Sequence, residues 1–496
     1  MRRVQIEDGG NNDAGVTFIY YHNSEILMNG GKHIFAVLAA IVVMTVFGSC
    51  IEDDITTSAS DQPVFSVDTL KMGMVFTQEG TPTRSFRVYN RHDKILNISS
   101  ISIREGNGIF RLNVDGMSGK TFHNVEIRPN DSIYVFVEAT LPTNGNGSLT
   151  TVNEHLDFLT NGVTRTVVLN ADGQDVDRKH GEVIETDTRW TADMPYQIYD
   201  SLVVKEGATL TLDAGTHLYF HDKAYMMVRG TLIAEGTPES PINFTGDRTG
   251  NVVNGIPYEL MSGQWGGLTF SPTSRDNRLC HTSIRNTTYG VQVDSTSVSD
   301  RPTLYMLNCQ LRNSTGHSLI AIHSNVTAIG CEIAEAASGT VYLRGGNHVF
   351  NHCTLANYYL FSALGGPIIG LDHINSDTDD NTGRPYMTAD FTNTIVYGNG
   401  TDISHGDLTG TSVTLRNCLL KSNGTNDDNF INCLWGKDPL YHTVREQYLF
   451  DYRLKYGSPA IGAANPELTL PEAATDMQGK ERGSTPDMGA YVYSGQ

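Results

Sequence analysis

Charge is scarce in this chain, and an excess of bases is missing altogether. Of 496 residues only 18% are charged, and 35 Lys and Arg stand against 55 Asp and Glu, a net charge of −20. So acidic a surface repels phosphate backbones and argues against nucleic acid as a partner. Seven cysteines include no CxxC pair, so the usual thiolate spacing of a zinc site is absent. Long apolar runs are absent too, apart from one near the start. What is plentiful is glycine, 49 residues, together with Asn, Thr and Ser. That mix suits short strands and turns better than amphipathic helices. The length exceeds one ordinary core, so an all-β chain of several domains is expected.

The apolar exception runs from Ile34 to Gly48 (IFAVLAAIVVMTVFG). It is short for a spanning helix and right for the apolar region of a signal peptide. Phe47-Gly48-Ser49-Cys50 resembles the lipobox of bacterial lipoproteins, which implies lipidation of Cys50. Met1 and Met28 are both candidate starts, and Met28 fits an export signal better because such signals act from the start of a chain. The following Ile51-Glu52-Asp53-Asp54 is similar to the acidic export tag of Bacteroidetes surface lipoproteins. It implies a lipid anchor in the outer membrane with the protein facing the cell exterior, the plain alternative being a solvated linker. Residues 1–49 are thus an upstream segment and signal peptide, and residues 50–62 a tether with too little apolar content to fold.

From residue 63 to 175, short alternating runs recur about every ten residues. Ser85-Phe86-Arg87-Val88-Tyr89, Ile98 to Ile103, Phe110 to Val114, Ser132 to Glu138 and Thr164 to Leu169 read as strands of an antiparallel sandwich. Phe86, Val88, Ile101, Ile103, Ile133, Val135 and Val137 would face inward. The pattern, with its Pro129-Asn130-Asp131-Ser132 turn, resembles the immunoglobulin-like spacer domains of bacterial surface proteins.

Cys309, Cys331 and Cys353 are spaced 22 residues apart, each followed two residues later by Leu311, Ile333 or Leu355. Asn308-Cys309-Gln310-Leu311 recurs as Gly330-Cys331-Glu332-Ile333, His352-Cys353-Thr354-Leu355 and Asn417-Cys418-Leu419-Leu420, with Thr282-Ser283-Ile284 and Asn393-Thr394-Ile395 as variants. A repeat this short cannot fold alone and must stack. Three short strands and three turns fill one such coil, and equivalent positions would stack about 4.8 Å apart. The three cysteines would form an interior ladder, with Asn308 and Asn417 at bends. A disulfide or metal role is the rival, disfavoured because the spacing matches a coil and not a chelate.

The result resembles a right-handed parallel β-helix of the pectate-lyase-like superfamily, spanning residues 183–437. VVKEGATLTLDAGTHLYF, GTLIAEGTPESPINFTG and GQWGGLTF are similar to the opening turns of Bacteroidetes β-helix surface proteins. Residues 246–263 and 372–390 break the rhythm and should protrude. Trp265 reads as a structural plug, with a sugar platform as the lesser alternative. Residues 438–496, with Gly457-Ser458-Pro459-Ala460-Ile461-Gly462 and Pro486-Asp487-Met488-Gly489-Ala490-Tyr491, resemble the closing segment of many bacterial β-helices. Its expected task is to cover the last coil, whose strand edges would otherwise pair with another chain.

Relatives with this coil include pectin, alginate and chondroitin lyases and polygalacturonases. A uronate lyase needs a base and a cation to neutralise the substrate carboxylate. Arg285, Arg312 and Lys421 share one repeat position and could form a basic strip, although solvated turn positions are the simpler reading. A glycosidase needs two positioned carboxylates. Asp377, Asp379 and Asp380 form the densest acidic group, open to a calcium reading or to plain loop solvation. The Gly-His-Gly pattern of polygalacturonases is absent, and Ser404-His405-Gly406-Asp407 is a poor substitute. No cofactor is called for beyond that calcium. The leading expectation is non-catalytic binding of extracellular polysaccharide or host matrix. A polysaccharide lyase or hydrolase, and a structural or adhesive surface protein, are the alternatives.

Overall fold

The computed structural model describes residues 54–252, 255–294, 302–372, 387–406 and 408–495. Residues up to Thr56 form one unit and Thr57 onward a second, and the second contains every strand from Val64–Phe65 on. Cys50, the apolar run before it and Asp377, Asp379 and Asp380 lie outside the described residues.

Alternation in the first folded region yields two five-stranded sheets. One contains Val64–Phe65, Arg84–Tyr89, Ser132–Ala139, Phe110–Val114 and Met117–Gly119, in that order across the sheet. The other contains Thr69–Phe76, Val163–Gln174, Thr150–Thr160, Leu96–Ile103 and Thr121–Ile127. Phe86, Val88, Ile101, Ile133, Val135 and Val137 are buried in one core with Phe158, as period two requires. Not all pairing is antiparallel: Thr69–Phe76 runs parallel to Val163–Gln174. The tether also ends earlier than its composition suggests. Asn161 donates from its side chain to the carbonyls of Ser58 and Asp61, and Gln62 donates to that of Thr160.

From Asp177–Ile184 to Leu434–Trp435, 26 strands pair with strands one coil away, and the pairings are parallel. They stack into three faces of a parallel β-helix, which begins at 177 rather than 183. Four-residue strands with apolar residues at alternate positions are the cause. Leu210 and Leu212, Leu218 and Phe220, and Met226 and Val228 point in and are buried. Rings join this filling: Trp265 stacks on Phe220 at 4.0 Å and 9°, and Phe350 on Phe391 at 4.8 Å. Strand Met387–Thr392 pairs regularly with its neighbours on both sides, so the segment expected to protrude up to residue 390 ends before it.

The cysteines occupy one inward corner of the third face. In successive coils Ser283 pairs with Gln310, Gln310 with Glu332 and Glu332 with Thr354, while Ile395 pairs with Leu419 and Leu419 with Leu434. The residue before each forms a single column: Thr282, Cys309, Cys331, Cys353, Thr394, Cys418 and Cys433. Each donates its thiol or hydroxyl to the carbonyl two residues earlier. The corner residues preceding them, His281, Asn308, Gly330, His352, Asn393, Asn417 and Asn432, all have φ between 42° and 63°. Asn tolerates this left-handed conformation better than most residues. At Gly330 a Cβ would fall 2.1 Å from the Asn308 Oδ1, so any larger residue would have to displace that side chain. The six described cysteines are free thiols and buried.

The closing segment meets the last coil along its outer side, where Leu434 packs against it. It lies lengthwise along the outside of the third face, where Tyr441, Tyr452, Leu454, Met488, Ala490 and Tyr491 pack on Ala334, Ala356, Ile395 and Leu419. Those outward positions are small or apolar and demand a cover, which explains the placement. The last coil is closed by its own residues. The Phe430 and Trp435 rings meet at 5.0 Å, and Asn426 Oδ1 accepts from the Cys433 amide and the Trp435 indole.

Candidate functional site

The third face is open toward its N-terminal coils, and a groove of about 420 Å³ lies there. Alternation builds its floor. In His217–Phe220 the residues Leu218 and Phe220 turn in, so His217 and Tyr219 turn out, and their rings stack at 3.9 Å and 19°. One coil on, Asn243 and Thr245 stand in register with them. A further coil on, Ser283 pairs with Asn243, which puts Arg285 beyond Thr245. The segment after Gly246 supplies Arg248 and Glu259, and the sandwich supplies Met74, whose carbonyl accepts from Thr249 Oγ1 at 2.7 Å. Asn286 fixes this segment to the face by donating to the carbonyls of Glu259 and Met261, each at 2.8 Å.

Arg285 pairs with Glu259, and its guanidinium also donates to Gln310 Oε1 and Ser283 Oγ. Burial lowers its pKa, and the Arg312 charge one coil on lowers it further. Burial, with the Arg285 charge nearby, brings His217 down to about 4, so its imidazole is neutral at neutral pH. Its Nε2 lies 3.0 Å from Thr245 Oγ1. Burial also pushes Tyr219 up to about 12. The exposed Arg248 guanidinium lies 6.0 Å from the Tyr258 ring and makes no ion pair among the described residues. The groove thus offers two guanidinium groups, a stacked ring pair and the amide of Asn243, the Asn286 amide being taken up by the Glu259 and Met261 carbonyls. Its single described carboxylate, Glu259, is held on Arg285.

The strip that the three basic residues could have formed is not there. Arg285 and Arg312 are register neighbours, but Ala334, Ala356 and Tyr397 separate them from Lys421 in the same column. Lys421 is half-buried and donates to the Gly400 carbonyl at 2.6 Å. Arg312 is not a solvated turn residue either, because its side chain is only 11% exposed. It pairs with the fully buried Glu332, donates to the Phe450 carbonyl at 2.9 Å and lies 5.2 Å from the Tyr452 ring centre. Tyr491 donates to Glu332 at 2.5 Å, and Tyr452 donates to Glu335, which also accepts from the Tyr358 amide. Burial raises Glu335 to about 7 against the opposing pull of Tyr452 and Arg312. Although burial opposes the Arg312 charge, Glu332 raises its pKa on balance. This closed network fastens the last segment of the chain to the β-helix.

Trp265 is fully buried, and its indole donates to the Arg285 carbonyl. It is a plug and offers no platform. Among the described residues no group of three or more His, Cys, Asp or Glu is placed to hold a metal ion, and no helix is long and apolar enough to cross a membrane. The sequence reading missed His217, Tyr219, Arg248 and Glu259. The first two carried a usable signal, since their alternation puts them on the outward column that Arg285 joins. Arg248 and Glu259 sit in a segment without periodicity and carried none.

Residues 181–300 match the family model of a pectate-lyase-like β-helix domain. No curated protein matches the chain. One similar solved structure is a family 123 glycoside hydrolase from Clostridium perfringens, studied for glycolipid glycan hydrolysis. It is 7% identical with a TM-score of 0.16, over 22% of this chain and 26% of that one. A likeness of that size carries no argument about activity.

Proposed function

We propose that the chain is an exported, lipid-anchored surface protein whose β-helix binds an acidic polysaccharide without cleaving it. The observation that carries this reading is the groove itself. In a chain with a net charge of −20, Arg248 and Arg285 converge beside the stacked His217 and Tyr219. Guanidinium groups suit uronate carboxylates, and ring faces suit the apolar side of a sugar. The single carboxylate among the described residues, already paired, leaves the groove short of the acid and base a glycosidase uses. The match of residues 181–300 to a pectate-lyase-like domain supports a polysaccharide as the ligand class. Export and anchoring rest on the Ile34–Gly48 run and on Cys50, with the two-sheet region as an immunoglobulin-like spacer.

One observation favours a second reading, a uronate lyase. His217 is neutral at neutral pH and shares the groove with Arg285, so a proton acceptor and a carboxylate-neutralising cation are both at hand. Incubation with uronate polysaccharides, with and without calcium, separates the two. The binding reading expects retarded migration in gels containing the polymer, with no unsaturated product and no new reducing ends. Turnover that disappears in His217→Ala and Arg285→Ala proteins would establish the lyase instead. Adhesion to cells with no polysaccharide bound would favour a structural surface protein.

A further inference from the structure

The outer face of the first sheet of the sandwich carries groups that folding does not require. In Ser132–Ala139 the residues Ile133, Val135 and Val137 fill the core, and Tyr134, Phe136 and Glu138 point away from it. Tyr134 and Phe136 are each 39% exposed and stack at 5.7 Å and 22°. Adjacent aromatic rings held open on a rigid sheet have an apolar face to cover. Around them the register sets polar groups in rows. Asn113 stands beside Phe136, and Ser118 beside Asn113. Arg111 stands beside Glu138 and pairs with it, and Lys120 follows Gly119, the partner of Leu112. Arg87 lies over the Tyr134 ring at 4.6 Å. A cavity of about 880 Å³ is lined by Phe136, Arg111, Asn113, Ser118 and Glu138, and also by Phe110 and Leu112 of the core and Ile103 of the second sheet.

We infer that this face is a second saccharide site, separate from the groove on the β-helix, and that it takes oligosaccharides bearing carboxylate or sulfate groups. The ring pair receives the apolar face of one sugar unit. Asn113 and Ser118, which hydrogen-bond each other at 3.1 Å, present hydroxyl-binding groups beside it. Charge selects the acidic class. Arg87, Arg111 and Lys120 outnumber Glu138 and the turn residue Asp115 on a chain that is acidic as a whole, and Lys120 has no partner among the described residues. Two sites on separate elements would let one chain hold a polymer at two points, which raises avidity without new contacts.

The test is photo-crosslinking on the full chain with two diazirine-bearing probes, a tetragalacturonate for carboxylate and a heparin tetrasaccharide for sulfate, each competed with neutral cellotetraose. Labelling of the peptide around residues 132–139 is expected, stronger with whichever acidic probe supplies the preferred group and unmoved by cellotetraose. It should fall about tenfold in a Tyr134→Ala/Phe136→Ala protein and weaken in Lys120→Glu. All three side chains point to solvent, and an unchanged melting temperature shows that the fold is intact. Label confined to residues 216–249 and 283–286, no label from either probe, or equal competition by cellotetraose overturns the inference. Label found only in the sandwich spares it and sinks the groove reading instead.

Discussion

The Cys309 amide donates to the sulfur of Cys331, one coil further on, at 3.4 Å. The interior thiols therefore act as hydrogen-bonding members of a column and not only as filling. Thr282 and Thr394 occupy the same column and make the same bond to the carbonyl two residues back.

Cys331→Thr should accordingly be tolerated, at a loss below about 1.5 kcal/mol, whereas Cys331→Asp should cost on the order of 3–5 kcal/mol by burying a charge without a partner. Denaturant midpoints for the two proteins measure this. Equal midpoints would contradict the column.

Arg312→Met takes the cation from the buried Glu332 and leaves it with the Tyr491 hydroxyl under the closing segment, at a cost of about 3–5 kcal/mol. Arg312→Met/Glu332→Leu removes both charges and should recover most of that loss. Limited proteolysis should release the segment after residue 438 early in the single variant and late in the double variant.

Glu335 links stability to pH. Its pKa rises from an ordinary 4.5 to about 7 on folding, so the folded state holds a proton that the unfolded state gives up. Stability from this group is complete below about pH 4.5 and fades as pH climbs through 7. Glu335→Gln keeps an acceptor for Tyr452 and removes the titration. Its gain over the wild type should grow to on the order of 2–3 kcal/mol by pH 8, read from thermal unfolding at a series of pH values. A constant difference across pH would rule the link out.

Lipid anchoring makes its own demand. Radiolabelled fatty acid should enter the wild type in a Gram-negative host and be absent from Cys50→Ala, whereas label in both would show that Cys50 is not the anchor.

The coil was legible because stacking forces every turn to repeat its chemistry. Asn308, Asn417 and the 22-residue cysteine spacing announce it without any long-range information. The fate of Arg312 was not legible, since what covers it, Tyr452 and Tyr491, lies more than a hundred residues away and follows no period. Ala334 and Ala356 held half of that message: two small residues following two arginines on an outward column mark a surface that something packs against. The groove was half visible for a similar reason. The strand holding His217 and Tyr219 can be read by alternation, and the segment carrying Arg248 and Glu259 cannot.

The sharpest test of the groove as a binding site for acidic sugar is calorimetric titration with oligogalacturonate. It is best done in protein already carrying Tyr134→Ala and Phe136→Ala, so that the sandwich face is silent. Binding to one site is expected, weakened about tenfold or more by Arg248→Ala/Arg285→Ala, and weakened already by Arg248→Ala, whose exposed side chain can be removed with no change in melting temperature. Identical isotherms with and without those two arginines would contradict a saccharide site in the groove.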